Sequence, residues 1–331
     1  MQTSKNTYNV FYYTISTLDN ASGIASIVHL RRIIYIINPM DTSKKAAAFK
    51  SAVRHHYRLQ GRHDLPWRKT RDPYAILVSE VMLQQTQVSR VEGFYGRFLE
   101  KFPDFRTLAD ARASDVLAAW QGLGYNRRAL SLKRLAETVM GEYGGNLPSD
   151  RAALERLPGI GKGTSGSLMA FVFNKPELFI ETNIRRVFIH HFFPRMRRGV
   201  TDEEIERYIQ RTMDHAHPRE WYWALMDYGA TLGRSAQGIG SNPNRRSAHY
   251  KKQGTFRGSD RELRGRILRY LLSQKNAKGE SAKKGVNKGQ LAAFAGISGS
   301  VESGRIERVV SRLLEEGFII KRRNSIYIND R

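Results

Sequence analysis

Leu157-Pro158-Gly159-Ile160-Gly161 is the stretch that decides how this chain folds. Two glycines around one apolar residue let two helices meet in a tight turn whose backbone N–H groups point outward, and a helix N-terminus with free amides binds a phosphate oxygen. The turn has no sequence preference of its own, and the same string also serves ordinary helix-helix turns. Downstream, Glu181-Thr182-Asn183-Ile184-Arg185-Arg186-Val187 sets a carboxylate just ahead of another helix.

Around this pairing the pattern is helical from Asp72 to Val187. Leu108, Ala111, Val116, Leu117 and Trp120 recur at helical spacing, as do Leu132, Leu135, Val139 and Met140. Strand signals are nearly absent. Turns fall at Gly122, Gly124, Gly144-Gly145 and Gly159, and Ser149 or Asp150 is placed to cap the helix that leads into the hairpin. The expectation is an all-α domain over residues 44–235, two-lobed, with a cleft between its lobes.

The formal net charge of +24 over 331 residues calls for a polyanionic partner. Lys and Arg are spread through the whole sequence and no apolar run approaches the length of a membrane span. The expected partner is therefore nucleic acid rather than a membrane, and the chain is expected to be an intracellular monomer. It contains no cysteine, which removes disulfides and every thiolate-held metal.

Upstream of the hairpin stand Leu65-Pro66-Trp67-Arg68, Asp72-Pro73-Tyr74, Ser79-Glu80-Val81-Met82-Leu83-Gln84-Gln85-Thr86-Gln87 and Gly122-Leu123-Gly124-Tyr125. In this order and spacing the strings resemble the adenine-mismatch branch of the helix-hairpin-helix DNA glycosylase superfamily, from roughly Phe49 to Tyr228. The resemblance implies a domain that flips a nucleotide out of duplex DNA and cleaves its N-glycosidic bond in base excision repair. Many relatives carry an iron-sulfur cluster on four cysteines just after this domain, and this chain cannot. It is expected to hold no cofactor beyond a monovalent cation at the hairpin turn.

Cleaving an N-glycosidic bond builds positive charge on the sugar while the base departs as a poor, anionic leaving group. A catalyst needs an acid beside the base and a negative charge beneath the sugar. Glu80 and Glu181 are the candidates. Glu80 interrupts an apolar helix, Ala75-Ile76-Leu77-Val78 before it and Val81-Met82-Leu83 after it, so desolvation should hold it protonated part of the time. On spacing alone it reads equally as a salt-bridged helical Glu, and the Ser79–Gln87 string is what assigns it the acid's position.

Glu181 stands where the superfamily normally places an aspartate. Its extra methylene moves the carboxylate, so either the pocket is reshaped or the role is weakened. The competing reading is a helix N-terminal Glu favoured by the helix dipole. Asn183 would orient Glu181 or the sugar, or simply cap its helix. A second departure is Gly163, at the position where strand-cutting relatives carry a Schiff-base lysine and adenine-specific relatives carry Tyr or Ser. With no amine there, the resemblance implies a monofunctional enzyme without lyase activity, and the glycine leaves volume in the base pocket. Lys162, one residue early, turns about 100° away on a helix and is expected to grip phosphate.

The resemblance assigns Gln85 and Tyr125 to fill the hole left by an extruded base. Arg68, Arg127 and Arg128 are expected at phosphates or base edges, with Gly159 and Gly161 on the hairpin amides. Trp67 and Tyr74 read as core. The Gly- and Ser-rich basic stretch at 236–258, with Arg245 and Arg246, reads either as a phosphate contact or as a solvated linker.

Beyond Ser259 the character changes. Arg261 to Ser273, Lys288 to Ala295 and Gly304 to Glu316 read as helices, and Phe318 to Ile328 as paired strands around Arg323-Asn324. Residues 259–331 thus suggest a small α/β winged-helix-like domain with a basic wing, Lys321-Arg322-Arg323, that meets DNA or docks protein. Lys275 to Asn287 has the composition of a mobile loop. Residues 1–43 fit neither domain and lack the marks of a secretory signal; they read as an upstream-start artefact or a poorly ordered arm.

Three functions remain open on these residues. The first is an adenine glycosylase for mismatches with guanine or oxidised guanine. The second is a glycosylase for a mispaired or bulky modified pyrimidine, as in foreign phage DNA. The third is a non-catalytic DNA-binding protein on a glycosylase fold.

Overall fold

The computed structural model describes residues 39–196, 199–234, 242–252, 254–276, 285–295 and 300–330. The expectations for residues 1–38 and for most of the 275–287 loop lie outside these.

The described residues open on α1 (Pro39–Gln60) and a single turn, α2 (Pro66–Lys69). They continue through α3 (Pro73–Leu83), α4 (Val88–Lys101), α5 (Phe105–Asp110), α6 (Ala113–Trp120), α7 (Arg127–Glu142), α8 (Arg151–Arg156) and α9 (Lys162–Phe171). Then come α10 (Thr182–Phe192), α11 (Asp202–Thr212) and α12 (Pro218–Arg234). The starts are written locally. Asp72 accepts from the backbone N–H of Tyr74 and Ala75 with Pro73 at the first helical position, and Asp150, one of the two expected caps, accepts from Ala153.

Two apolar cores divide these helices. One gathers α3 to α9 around Trp120, Phe98, Leu117 and Leu135, with Trp67 and Tyr74 inside it as read from the sequence. The other joins α1 to α10, α11 and α12 around Phe49, Phe188 and Tyr222. The chain's excursion is thus one lobe and its two flanks make the other. Helix α3 bridges them, for Ile76 belongs to the second core while Leu77, Val78, Val81 and Met82 belong to the first.

Asp227 on α12 ties the lobes from within. Its carboxylate takes Arg68 Nη1 at 2.7 Å and Nη2 at 2.9 Å, Arg62 Nε at 2.6 Å and the Arg62 backbone N–H at 2.8 Å. Burial works against ionisation there, and Arg68 and Arg62 outweigh it, holding Asp227 below the ordinary carboxylate range. The expectation of Arg68 at DNA is therefore corrected. Its side chain is buried, paired with Asp227 and stacked over Trp223.

Residues 242–250 are docked rather than solvated. A short 3-10 turn, Pro243–Arg246, buries Pro243, and Ser247 pairs in parallel with Val200 through Val200 N–H to Arg246 O at 2.7 Å and Ala248 N–H to Val200 O at 2.9 Å. Arg246 donates to the carbonyls of Phe193 and Pro194 and is half-buried, so its job is internal, whereas Arg245 is exposed.

The C-terminal unit has α13 (Asp260–Asn276), α14 (Lys288–Ala295), α15 (Ser300–Glu315) and an antiparallel pair, β1 (Ile319–Arg322) with β2 (Ser325–Ile328). Arg323 at the turn has φ 51°, and Val286 bridges Ile326 in the place of a third strand. This is a winged-helix-like arrangement. Its apolar residues are continuous with the first core, and Lys275 Nζ donates to Ser114 Oγ at 2.8 Å on α6, so the unit sits against the helical domain.

Candidate active site

Glu80 lies in the C-terminal half of the bridging helix, half-buried itself among neighbours that are almost all apolar and buried. Ser167 on α9, itself buried, donates its hydroxyl to Glu80 Oε2 at 2.6 Å and has the Thr164 carbonyl at 3.0 Å. One hydrogen serves both protonation states. It points to the carboxylate when Glu80 is ionised, and turns to Thr164 O when Glu80 itself donates. Burial pushes the Glu80 carboxyl up to about 7, with Ser167 pulling it down, the charge of Glu181 pushing it up and Arg68 pulling it down.

Glu181 is the N-cap of α10. It accepts from Asn183 N–H at 2.8 Å, Ile184 N–H at 3.2 Å and Asn183 Nδ2 at 3.4 Å. The simple N-cap reading of Asn183 is thereby corrected, since Glu181 does the capping. Asn183 Oδ1 instead accepts from Arg186 Nη1 at 2.6 Å. Burial raises the Glu181 carboxyl, and the two backbone donors, Arg186 and the Asn183 amide oppose it. Glu80 has one donor and Glu181 three plus a helix N-terminus. The donors at Glu181 favour its anion more than the single Ser167 hydroxyl favours that of Glu80, against a burial that raises both carboxyls. Gly229 sets this position, for a Cβ there would lie 2.1 Å from Asn183 O, so only glycine lets α12 close on the start of α10.

The hairpin joins α8 to α9. Gly159 has φ 84° and approaches Ser131 so closely that a Cβ would meet its Cβ at 2.8 Å, which glycine alone allows. Gly159, Gly161 and Lys162 are exposed. Gly163, the second residue of α9, is also exposed, and a Cβ built there meets no atom of the described residues within 4 Å. Ser167 follows one turn later on the same helix face.

Beside these groups opens a cleft of about 1350 Å³ lined by Val81, Gln84, Gln85, Tyr125, Arg127 and Gly159 among others. Neither Glu80 nor Glu181 is among its lining residues. Gln85 and Tyr125 do line it, and both are exposed with left-handed backbones, φ 56° and 48°. Such residues store about 1–3 kcal/mol each and persist only where the surroundings enforce them. Arg128 is what enforces them. Its buried guanidinium takes the carbonyls of Val81 at 2.8 Å, Met82 at 2.7 Å, Gln84 at 2.6 Å and Gly124 at 3.0 Å, and Thr86 Oγ1 at 3.0 Å. It caps α3 and ties the Gln85 loop to the Tyr125 loop. The expectation of Arg128 at DNA is corrected on that account, while Arg127 is exposed in the cleft.

Sequence reasoning missed Ser167 and Asp227. The trace of Ser167 was a small polar residue one turn after Gly163 in an apolar helix. Asp227 had only its place in Ala224-Leu225-Met226-Asp227-Tyr228-Gly229.

A family model described as HhH-GPD superfamily base excision DNA repair protein matches residues 78–214. The adenine DNA glycosylase of Buchnera aphidicola subsp. Baizongia pistaciae is 35% identical over 182 residues, which are 54% of this chain and 50% of that protein. The thymine/uracil-DNA glycosylase of Pyrobaculum aerophilum is 34% identical over 185 residues, 54% of this chain and 80% of that protein. A solved structure of a thermostable thymine-DNA glycosylase superposes with a TM-score of 0.52 at 30% identity, covering 57% of this chain and 88% of that one. The chain spans about half the length of the Buchnera relative.

Proposed function

This chain belongs to the HhH-GPD superfamily of base excision DNA repair proteins, and from that premise we propose that it is a monofunctional DNA glycosylase. The observation that carries the proposal is Glu80, a half-buried carboxyl pushed up to about 7 in an apolar helix, hydrogen-bonded to Ser167 and within electrostatic reach of Glu181. An acid with its pKa near neutrality is half protonated and transfers its proton well. Glu80 would protonate the departing base, and Glu181, whose donors favour the anion, would stabilise the cationic sugar. Water would then complete hydrolysis and leave an abasic site. Gln85 and Tyr125 would occupy the gap left by the extruded nucleotide, while Gly159, Gly161 and Lys162 would hold its phosphates.

The substrate in this reading is adenine opposite guanine or oxidised guanine. Its support is the Leu65–Arg68, Ser79–Gln87 and Gly122–Tyr125 strings and the likeness to an adenine DNA glycosylase. A second reading, a mispaired thymine or uracil, is favoured by the larger share of a thymine/uracil-DNA glycosylase that the chain covers and by the open space at Gly163. Incubation with end-labelled duplexes carrying A:G, A:oxidised-G, T:G and U:G pairs tests both. Release of adenine alone supports the first and release of the pyrimidine alone the second. No release from any duplex that the protein binds would leave the non-catalytic reading.

A further inference from the structure

The cleft beside Gln85 and Tyr125 has a far wall, and that wall is α13 of the C-terminal unit. Among the described residues, seven arginines and one carboxylate, Glu316, line the cleft. Arg90, Arg127 and Arg134 come from the helical domain, and Arg261, Arg264 and Arg269 from α13. Glu316 is engaged by Arg264 in a bidentate pair, leaving the rest of the lining strongly cationic. The two walls touch where Arg261 Nη1 reaches Tyr125 Oη at 3.4 Å, and Arg261 Nη2 is steadied by Gly254 O at 2.9 Å.

On α13 the cleft-facing residues include Arg261, Gly265 and Arg269, spaced a turn apart on one face. A glycine inside a helix is destabilising relative to alanine. Packing among the described residues gives no reason for this one, because a Cβ at Gly265 would meet none of their atoms within 4 Å. An arginine on either side of a bare backbone patch, facing a cationic cleft, is the shape that admits a phosphodiester chain closely. The basic wing residues Lys321, Arg322 and Arg323 are exposed but line no part of this cleft.

We propose that α13, through the Arg261–Gly265–Arg269 strip, is the C-terminal unit's DNA-binding surface, and that it grips the phosphate backbone of the strand across the cleft from the 157–161 hairpin. The proposal rests on the glycosylase reading for the identity of the polyanion. It reverses the expectation that the wing makes this contact. The C-terminal unit then works as the second jaw of a clamp whose first jaw carries Gln85 and Tyr125.

The test is the affinity of the full-length protein for a fluorescent duplex, measured by anisotropy across a series of potassium chloride concentrations. Compared are wild type, R261A/R269A, Gly265→Leu and the wing triple variant K321A/R322A/R323A. Arg261 and Arg269 are exposed and Gly265 has room, so these changes leave the core untouched. The double variant is expected to lose about tenfold or more in affinity and about two units of salt slope, one for each phosphate contact. Gly265→Leu is expected to weaken binding with the slope retained, and the wing variant to stay within about twofold of wild type. Wild-type affinity and slope in R261A/R269A, from a protein whose wild type binds duplex and releases base, would overturn this inference alone. Duplex binding with the expected α13 dependence but no base release would overturn the glycosylase reading alone.

Discussion

Ser167 and Glu80, 87 positions apart, share a hydrogen bond of 2.6 Å between α9 and α3. It joins the hairpin helix to the helix that bridges the lobes, so the 157–161 turn and the candidate acid are fixed to one another. If Glu80 is the acid, Glu80→Gln should abolish base release while duplex affinity stays within a few fold. The amide keeps the shape but has no proton to give. Release near the wild-type rate would remove Glu80 from the mechanism.

The same variant should be more stable than wild type above neutrality. Glu80 is raised to about 7 in the fold. The unfolded chain therefore ionises first, and wild type loses stability as pH climbs from the ordinary glutamate value through about 7. The loss is on the order of 3 kcal/mol from the size of that shift. Urea midpoints should coincide for the two proteins near pH 4 and diverge in favour of Glu80→Gln by pH 8. Parallel curves would mean that Glu80 ionises freely in the fold.

Single-turnover release should fall as pH rises through about 7, as the proton on Glu80 is lost. Ser167 is the group that most lowers that carboxyl, so Ser167→Ala should move the alkaline limb to higher pH. A limb that stays put, or moves down, would show that Ser167 does not act on Glu80.

Aspartate is a good N-cap, so Glu181→Asp should keep α10 capped and its thermal midpoint close to wild type. The carboxylate would be withdrawn by one methylene, and release should slow by about tenfold to a hundredfold. Full activity in this variant would mark the glutamate as a neutral replacement for aspartate. Full activity in Glu181→Ala would exclude it altogether.

Arg68 and Arg127 separate structure from binding. Arg68→Ala strands the buried Asp227 carboxylate beside Arg62 alone and should cost about 3–5 kcal/mol in denaturant unfolding. Arg127→Ala, at an exposed position in the cleft, should leave stability unchanged and lower the salt slope of duplex binding by about one. The opposite pattern would return Arg68 to the DNA surface.

What was legible in the sequence was local. The Gly159 turn, the cap at Asp150, and the hairpin around Arg323-Asn324 each depend on residues within a few positions, and the structure has them where the chain spells them. Glu80 stood out because a carboxylate in an apolar run is an anomaly on its own. Arg68 and Arg128 were misread because an arginine's partner decides its role, and the deciding ones are distant, Asp227 159 positions from Arg68 and the 81–86 segment 42–47 positions from Arg128. Ser167 stayed hidden for the same reason. The docking of residues 242–250 on Val200 left no mark in a basic, Gly- and Ser-rich composition.

The central claim is base release without strand cleavage, and the products of one reaction test it most directly. Wild type is incubated with an end-labelled duplex of its best mismatch, and samples are split for free-base analysis, gel electrophoresis with and without alkali, and borohydride reduction. The account predicts free base, strands intact until alkali treatment, and no trapped adduct, because Gly163 offers no amine. Gly163→Lys, whose side chain has open space, should begin to trap. Efficient trapping by the unmodified protein, lost in Lys162→Ala, would contradict the monofunctional account.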